Sequence, residues 1–255
     1  MIIQKLYLTK DHLSLFPEKE RVFFILLGHL ANEISVLTKL MILSENRSET
    51  EVVRKAYSMQ ASIIARIIIG KLYESWVLLE MNFFKSKLSK QYESKLTNDG
   101  QQALRNLKKY FGKKNLIKSI RNNFSFHYPS FDEINKQLKA IPNDTNFQFF
   151  LGECNANTNY YMSEEVISNL MLNQVKSKDT TLQDAMFDVF QDLTQVSGWF
   201  VTFSGDCMIT LSEEFLGKVK DKLKLQTIEV ESQGNIWETK IPFFLDWQKK
   251  LNFSD

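Results

Sequence analysis

The chain has few of the residues that interrupt regular structure or link distant segments. Its 255 residues include four prolines, nine glycines and two cysteines. The scarcity of proline and glycine favours long regular elements with few tight turns. Cys154 and Cys207 form neither a CxxC pair nor a disulfide framework, so we expect free thiols, as in a reducing cytosol.

The sequence also lacks a clear membrane or export segment. Its first residues show no basic region followed by an apolar run, so no signal peptide is predicted. The most apolar stretch, 22–43, is interrupted by His29, Asn32, Glu33 and Lys39, and its unbroken apolar run of about seven residues is too short to cross a bilayer. We therefore predict a cytoplasmic protein with no membrane partner.

The common motifs for nucleotide cofactors, zinc and serine hydrolysis are missing. The chain contains no GxGxxG, no Walker lysine loop, no HExxH, no GxSxG and no Cys/His cluster with metal spacing. Three scattered histidines cannot build a His-rich zinc site. The residues leave a carboxylate-only magnesium site open, although no paired acids at helical spacing indicate one. We expect no cofactor and no metal.

Hydrophobic residues at three- and four-residue spacing predict two long helices in the first third of the chain. The first covers 18–44. The second starts at a capping box formed by Ser48 and Glu51 and continues to about residue 88. Its predicted core face is Val52, Ala56, Met59, Ile63, Ile67, Leu72, Trp76, Leu79 and Phe83.

Shorter helices are predicted in the middle of the chain. Two of them, 98–111 and 114–127, are separated at Gly112, and Pro129 ends the second near His127. A capping box at Ser130 and Glu133 then opens a helix to about residue 140.

The character of the sequence changes after Pro142. Aromatic segments around an Asn-rich turn predict a β-hairpin over 147–162, and a second small hairpin is predicted over 227–240. Between them we predict a helix from Ser163 to about residue 175 and a longer one, capped by Thr180, to about residue 210.

These elements predict a mainly α fold. Residues 1–142 would form a core of long antiparallel helices. Residues 143–255 would form a mixed, mainly helical region with one or two small β-hairpins, packed into the same domain or separate from it.

Positive charge is concentrated in 100–131. This segment has seven basic residues and no acid, whereas the whole chain carries only +2. Such a cluster attracts phosphate backbones independently of their sequence, although a lysine-rich helix is also commonly just a solvated face. The candidate RNA-binding residues are Lys108, Lys109, Lys113, Lys114, Lys118 and the aromatic Tyr128.

Arg121 and His127 are the candidate reactive pair of this segment. A histidine can move protons near neutral pH, and an arginine can grip a phosphate with two donors. On an intact α-helix they would lie about 120° apart. The alternative is structural, since basic groups are favourable near a helix C-terminus. Glu74, an acid within an apolar stretch, is either an exposed charge or a buried partner for an arginine.

The arrangement Arg121-Asn122-x-x-x-x-His127, in its helical context, resembles the Rx4–6H signature of the HEPN superfamily, in its abortive-infection and toxin–antitoxin branches. The resemblance covers about 18–140, and five residues separate the Arg and His where four is commoner. It implies an all-helical bundle and a homodimer whose two motifs form one metal-independent endoribonuclease site.

On this resemblance Arg121, His127 and Asn122 would be catalytic. The sequence leaves open whether a second charged group, Glu74 or Lys71, completes the site. RNA would be the substrate, and an antitoxin or another defence-system protein a partner. Two other functions remain open: a non-catalytic helical RNA-binding or regulatory module, and a helical scaffold that mediates assembly.

Overall fold

The computed structural model describes residues 1–44, 50–177, 179–232 and 234–246. Within them the chain is mainly helical, as predicted, with one two-stranded antiparallel sheet. The α-helices are α1 (Lys10–Ser14), α2 (Glu18–Leu43), α3 (Glu51–Leu79), α4 (Leu88–Tyr92), α5 (Asn98–Phe111), α6 (Leu116–Ile120), α7 (Phe131–Ala140), α8 (Tyr161–Val175) and α9 (Leu182–Leu216). The strands are β1 (Ile2–Tyr7) and β2 (Lys224–Glu229). Two π-helical turns, Glu80–Phe84 and Arg121–Ser125, extend α3 and α6.

The long helix α9 lies at the centre of the bundle and contacts α2, α3, α5 and α8. Its buried side chains recur at helical spacing and include Val189, Leu193, Val196, Phe200 and Phe203. They belong to one hydrophobic core that also contains side chains of α2, α3 and α5. The regions on either side of residue 142 therefore share a core.

Helix α3 differs from its prediction in its end and in its buried face. It continues through the π turn to Phe84 and stops short of residue 88, where Lys87 adopts a left-handed backbone with a φ of 71°. The predicted core positions Val52, Met59, Ile63, Ile67 and Trp76 are not fully buried, whereas Ala61, Ala65, Ile68 and Ile69 are. Because apolar residues occur on every side of α3, its periodicity does not identify a single buried face. Ser48, in the predicted cap of α3, lies outside the described residues.

Helix α2 is the one helix among the described residues that is long and apolar enough to cross a membrane by length and composition. Core helices of soluble proteins meet the same criterion. Phe23, Leu27, Leu30 and Ile34 are buried where α2 packs against α3 and α9, and 22% of the apolar window is buried in all. This arrangement is compatible with a soluble protein, and the cytoplasmic location stays a prediction.

Among the described residues neither predicted hairpin forms as a pair of strands. Strand β2 pairs with β1 at the other end of the chain, with Leu6 opposite Leu225. Over 147–162 the backbone makes an isolated antiparallel bridge between Phe150 and Asn159. Reasoning from local pattern could not assign β1, because its partner lies more than 200 residues away.

The N-terminus of α9 is capped one residue later than predicted. The hydroxyl of Thr181 accepts from the backbone N–H of Asp184 at 3.1 Å, and the Asp184 carboxylate accepts from the backbone N–H and hydroxyl of Thr181. These hydrogen bonds lower the pKa of Asp184. Their stabilisation is therefore present at neutral pH and is lost as the pH falls through that lowered pKa.

We expect Thr181→Ala to lower the free energy of unfolding by about 0.5–2 kcal/mol, because it removes an N-cap. Thr180→Ala should cost less, because within the part of the chain that the structure describes the Thr180 hydroxyl bonds to Ser177 and to no amide of α9. Urea denaturation of both variants at neutral pH measures the difference. Equal losses would contradict the assignment of the cap to Thr181.

Candidate functional site

The Arg121/His127 motif lies where α6 ends. Asn115 caps α6 by accepting from the backbone N–H of Lys118 at 2.8 Å. The helix then widens into the π-helical turn Arg121–Ser125, so it ends two residues before the predicted position at His127. The separation of about 120° expected for an intact α-helix therefore does not apply, because a π turn has different hydrogen bonding and pitch.

The segment 121–129 lies along one face of α3. Arg121 contacts Tyr73 and Glu74 near one end, and the ring of Phe126 covers Gly70. The residues of α3 that meet this segment are Ile63, Arg66, Ile67, Gly70, Tyr73 and Glu74. They recur every three or four residues, which places them on a single helix face. A β-carbon at Gly70 would lie 2.3 Å from the Phe126 ring, so any larger residue there would have to displace that ring from α3.

Arg121 is held by its neighbours on α3. One guanidinium nitrogen donates to Glu74 Oε1 at 2.6 Å, another donates to Asn122 Oδ1 at 3.4 Å, and the guanidinium lies 5.0 Å from the centre of the Tyr73 ring. Glu74 is therefore an arginine partner, but a half-exposed one. Its Arg121 partner is about 30% exposed, so a phosphate could reach the guanidinium by competing with Glu74.

His127 is exposed and makes no side-chain hydrogen bond or ion pair with the part of the chain that the structure describes. It lies at the mouth of a cavity of about 330 Å³ between α3, the segment 124–129 and α8, which we call the histidine cavity. The imidazole is thus free to exchange protons with a bound molecule.

A largely buried ion pair, Arg66 with Glu164, lies in the wall of the histidine cavity. The two groups form two hydrogen bonds of 2.5 and 2.9 Å, and Ser168 donates to Glu164 at 2.9 Å. The side chains are only 13% and 12% exposed. Sequence reasoning missed this pair, although Arg66 is the one charge in the apolar run 61–70 and could have indicated it.

The structure does not bring Arg121 and His127 into contact within one chain. Arg121 lies beside Tyr73, whereas His127 shares its cavity with Arg66. Seven residues of α-helix separate Tyr73 and Arg66, or about 10 Å along α3. Phe126, seated on Gly70, lies between the two positions.

Four of the predicted RNA-binding lysines lie together around the turn between α5 and α6. Lys109, Lys113 and Lys114 line a cavity of about 640 Å³, which we call the lysine cavity. Lys113, Lys114 and Lys118 line a second cavity of about 460 Å³, the loop cavity, which also reaches Asn122. None of these four lysines forms an ion pair with another described residue.

The other predicted site residues lie elsewhere. Lys108 is on another face of α5, where its ammonium binds Glu93 at 2.7 and 2.8 Å. Lys71 is directed towards α2, where it pairs with Glu33 at 2.5 Å. Tyr128 is 96% exposed at the rim of the histidine cavity.

No group of three or more His, Cys, Asp or Glu side chains among the described residues is placed to hold a metal ion. Both cysteines are free, as predicted, and burial raises the pKa of the Cys207 thiol to about 12.

Comparisons of the chain with protein-family models, curated proteins and solved structures found no match. The family resemblance therefore rests on the motif and its helical context.

Proposed function

We propose that the protein is a metal-independent endoribonuclease of HEPN type that acts as a homodimer. The observation that supports this most is that Arg121, Asn122 and His127 all follow α6 on one short segment that packs along α3, and that Asn122 lines the loop cavity beside lysines that form no ion pair with another described residue. A role in phage defence or in a toxin–antitoxin system, with a partner protein, belongs to the same proposal.

The reaction would use the ribose 2′-hydroxyl as nucleophile. His127 takes the proton of this hydroxyl, and the 2′-oxygen attacks the adjacent phosphorus. The bond from phosphorus to the 5′-oxygen breaks, and the leaving oxygen receives a proton from imidazolium. The products are a 2′,3′-cyclic phosphate and a 5′-hydroxyl. Arg121 would stabilise the charge on the non-bridging phosphate oxygens, and Asn122 would orient the phosphate.

Arg121 and His127 lie apart in one chain, but a dimer could bring them together from two protomers. In a two-fold symmetric interface a residue of one protomer contacts a different residue of its partner, and the same contact is repeated on the other side. Arg121 of one protomer could thus lie opposite His127 of the second, with the scissile phosphate between them. The exposure of both side chains supports such a shared site.

The proposal predicts that purified protein cleaves single-stranded RNA in EDTA and leaves 2′,3′-cyclic phosphate ends. DNA of the same sequence should stay intact, because it lacks the attacking 2′-hydroxyl. Gel electrophoresis detects the cuts, and mass spectrometry of the fragments identifies the ends. Cleavage that requires magnesium, or equal cleavage of the DNA, would overturn the proposal.

The second candidate is an RNA-binding module that does not cut. The ion pair between Arg121 and Glu74 favours it, because a paired arginine holds the end of α6 against α3 without any substrate. In that case the protein binds RNA through its lysines, and no cleavage is seen at any protein concentration.

A further inference from the structure

The lysine cavity takes no part in the cleavage step described above. Its lining nevertheless combines groups that suit one kind of ligand. It lies between α5, α6, α8 and α9 and carries four lysines and one acid, Asp192. The fourth lysine, Lys176, comes from the end of α8, so the positive charge converges from separate parts of the chain. A cavity with this charge is suited to an anion.

Two aromatic side chains give the same cavity an apolar wall. Tyr110 of α5 and Trp199 of α9 lie with their ring centres 6.2 Å apart. The Tyr110 hydroxyl donates to Asp192, which fixes the position of that ring. Trp199 is half-buried and so leaves part of its ring available to a flat group. Nucleic-acid bases stack on such rings with little sequence preference.

Polar groups at the rim can bind the edge of a base. Amide side chains line the cavity at Asn106, Gln174 and Gln195. Asn106 already accepts from Gln102, and Gln174 bonds to Asn123 and Glu133, whereas the Gln195 amide makes no hydrogen bond with another described residue. The cavity therefore offers lysines for a phosphate, an aromatic wall for a base and one uncommitted amide for the edge of the base, which together match a nucleoside phosphate.

The loop cavity connects this position to the motif. It shares Lys113 and Lys114 with the lysine cavity and ends at Asn122, directly after Arg121. Between the two ends lies Lys118, on the exposed side of α6. The lysines of the two adjoining cavities therefore lie between Trp199 and Asn122, next to the motif.

We propose that the lysine cavity binds one unpaired nucleotide of a single-stranded RNA. The backbone of that RNA then passes over Lys114 and Lys118 to Asn122. The base must be unpaired, because a base stacked within a duplex cannot lie against Trp199. This inference rests on the proposed function in taking RNA as the ligand, but it does not require cleavage.

Binding is measured by fluorescence anisotropy of a short labelled RNA in EDTA, in the His127→Ala background, so that the RNA stays intact. Lys113→Gln with Lys114→Gln should weaken binding and reduce the slope of log K against log salt by about 1.4, the value for two phosphate contacts on a single strand. Both lysines are exposed, so the fold should be unaffected. Lys136→Gln with Lys139→Gln, on the exposed side of α7, is the matched control and should leave the slope unchanged.

The aromatic wall is tested by Trp199→Ala, which should weaken RNA binding about 5-fold to 160-fold. Trp199→Phe keeps a ring and should restore most of the affinity, which separates stacking from a folding defect. Trp237→Ala removes an exposed tryptophan elsewhere and should have no effect. A base-paired RNA of equal length should bind the parent more weakly than the single strand.

Two results would overturn the inference: an unchanged salt slope in the double lysine variant, or tighter binding of free AMP than of the RNA. The second would make a free nucleotide the ligand. Cleavage by the wild-type protein is scored separately. If the wild type cuts RNA but the cavity variants bind normally, the inference fails and the proposed function stands. If the variants lose binding but the wild type never cuts, the proposed function fails and the inference stands.

Discussion

Replacement of His127 by alanine should slow RNA cleavage in EDTA by about 100-fold to 10,000-fold, the usual contribution of a general acid–base group. This corresponds to about 2.7–5.4 kcal/mol of transition-state stabilisation. The other two histidines cannot substitute, because His12 accepts from the backbone N–H of Thr9 in the cap of α1 and His29 lies beside Glu33 on α2. His127 is exposed and unbonded among the described residues, so the stability of the variant should change by less than about 0.5 kcal/mol.

His29→Ala is the matched control for this experiment. Its side chain is 66% exposed, and its removal should leave both stability and cleavage unchanged. Initial rates on a labelled single-stranded RNA, with protein folding checked by circular dichroism, measure the effect. A fully active His127→Ala protein would remove the motif from the mechanism, whatever else cuts the RNA.

The second large effect is expected for stability, at Arg66 and Glu164. Arg66→Met or Glu164→Leu alone leaves one largely buried charge without its partner, which typically costs about 3–5 kcal/mol. The double variant leaves neither charge and should lose much less than the sum of the single losses. Chemical denaturation of the four proteins gives the coupling energy of the pair.

Lys95 and Glu214 provide the comparison. This pair is equally short, at 2.5 Å, but its side chains are 47% and 35% exposed. Exposed pairs contribute about 1 kcal/mol or less, so Lys95→Met and Glu214→Leu should be nearly additive. Additive losses at Arg66 and Glu164 would show that the buried pair is not coupled. If the Arg66→Met/Glu164→Leu double variant folds and still cuts RNA, then Arg66 stabilises the wall of the histidine cavity and takes no part in the reaction.

The sequence predicted well those features that depend on neighbouring residues. Helix α5 has its predicted bounds, and the capping box at Ser130 and Glu133 opens α7 as expected. Thr180 and Thr181 are adjacent before α9, and each has a polar residue three positions later. The capping-box pattern therefore fits Thr180 as well as Thr181. Which threonine caps the helix depends on the residue at which α9 begins, and this is set by how α9 packs in the bundle.

Features that depend on distant residues were not predictable in this way. Phe126 packs on Gly70, and Arg66 pairs with Glu164. Both contacts join residues that are far apart in sequence. The residue types of the motif were visible locally, but its geometry depends on these contacts with α3 and α8. The roles of Arg121 and His127 stay predictions until cleavage is measured.

The sheet has a consequence for the order of folding. Strands β1 and β2 have exposed side chains on both faces, and the whole helical bundle lies between them in the sequence. A two-stranded sheet of this kind is marginally stable alone, and closing so long a loop costs entropy unless the intervening chain is already compact. We therefore expect the strands to pair last, after the bundle has brought them together, and to separate first on heating. The molecule would then unfold in two separate units. The sheet would open first, while the helical bundle remains folded.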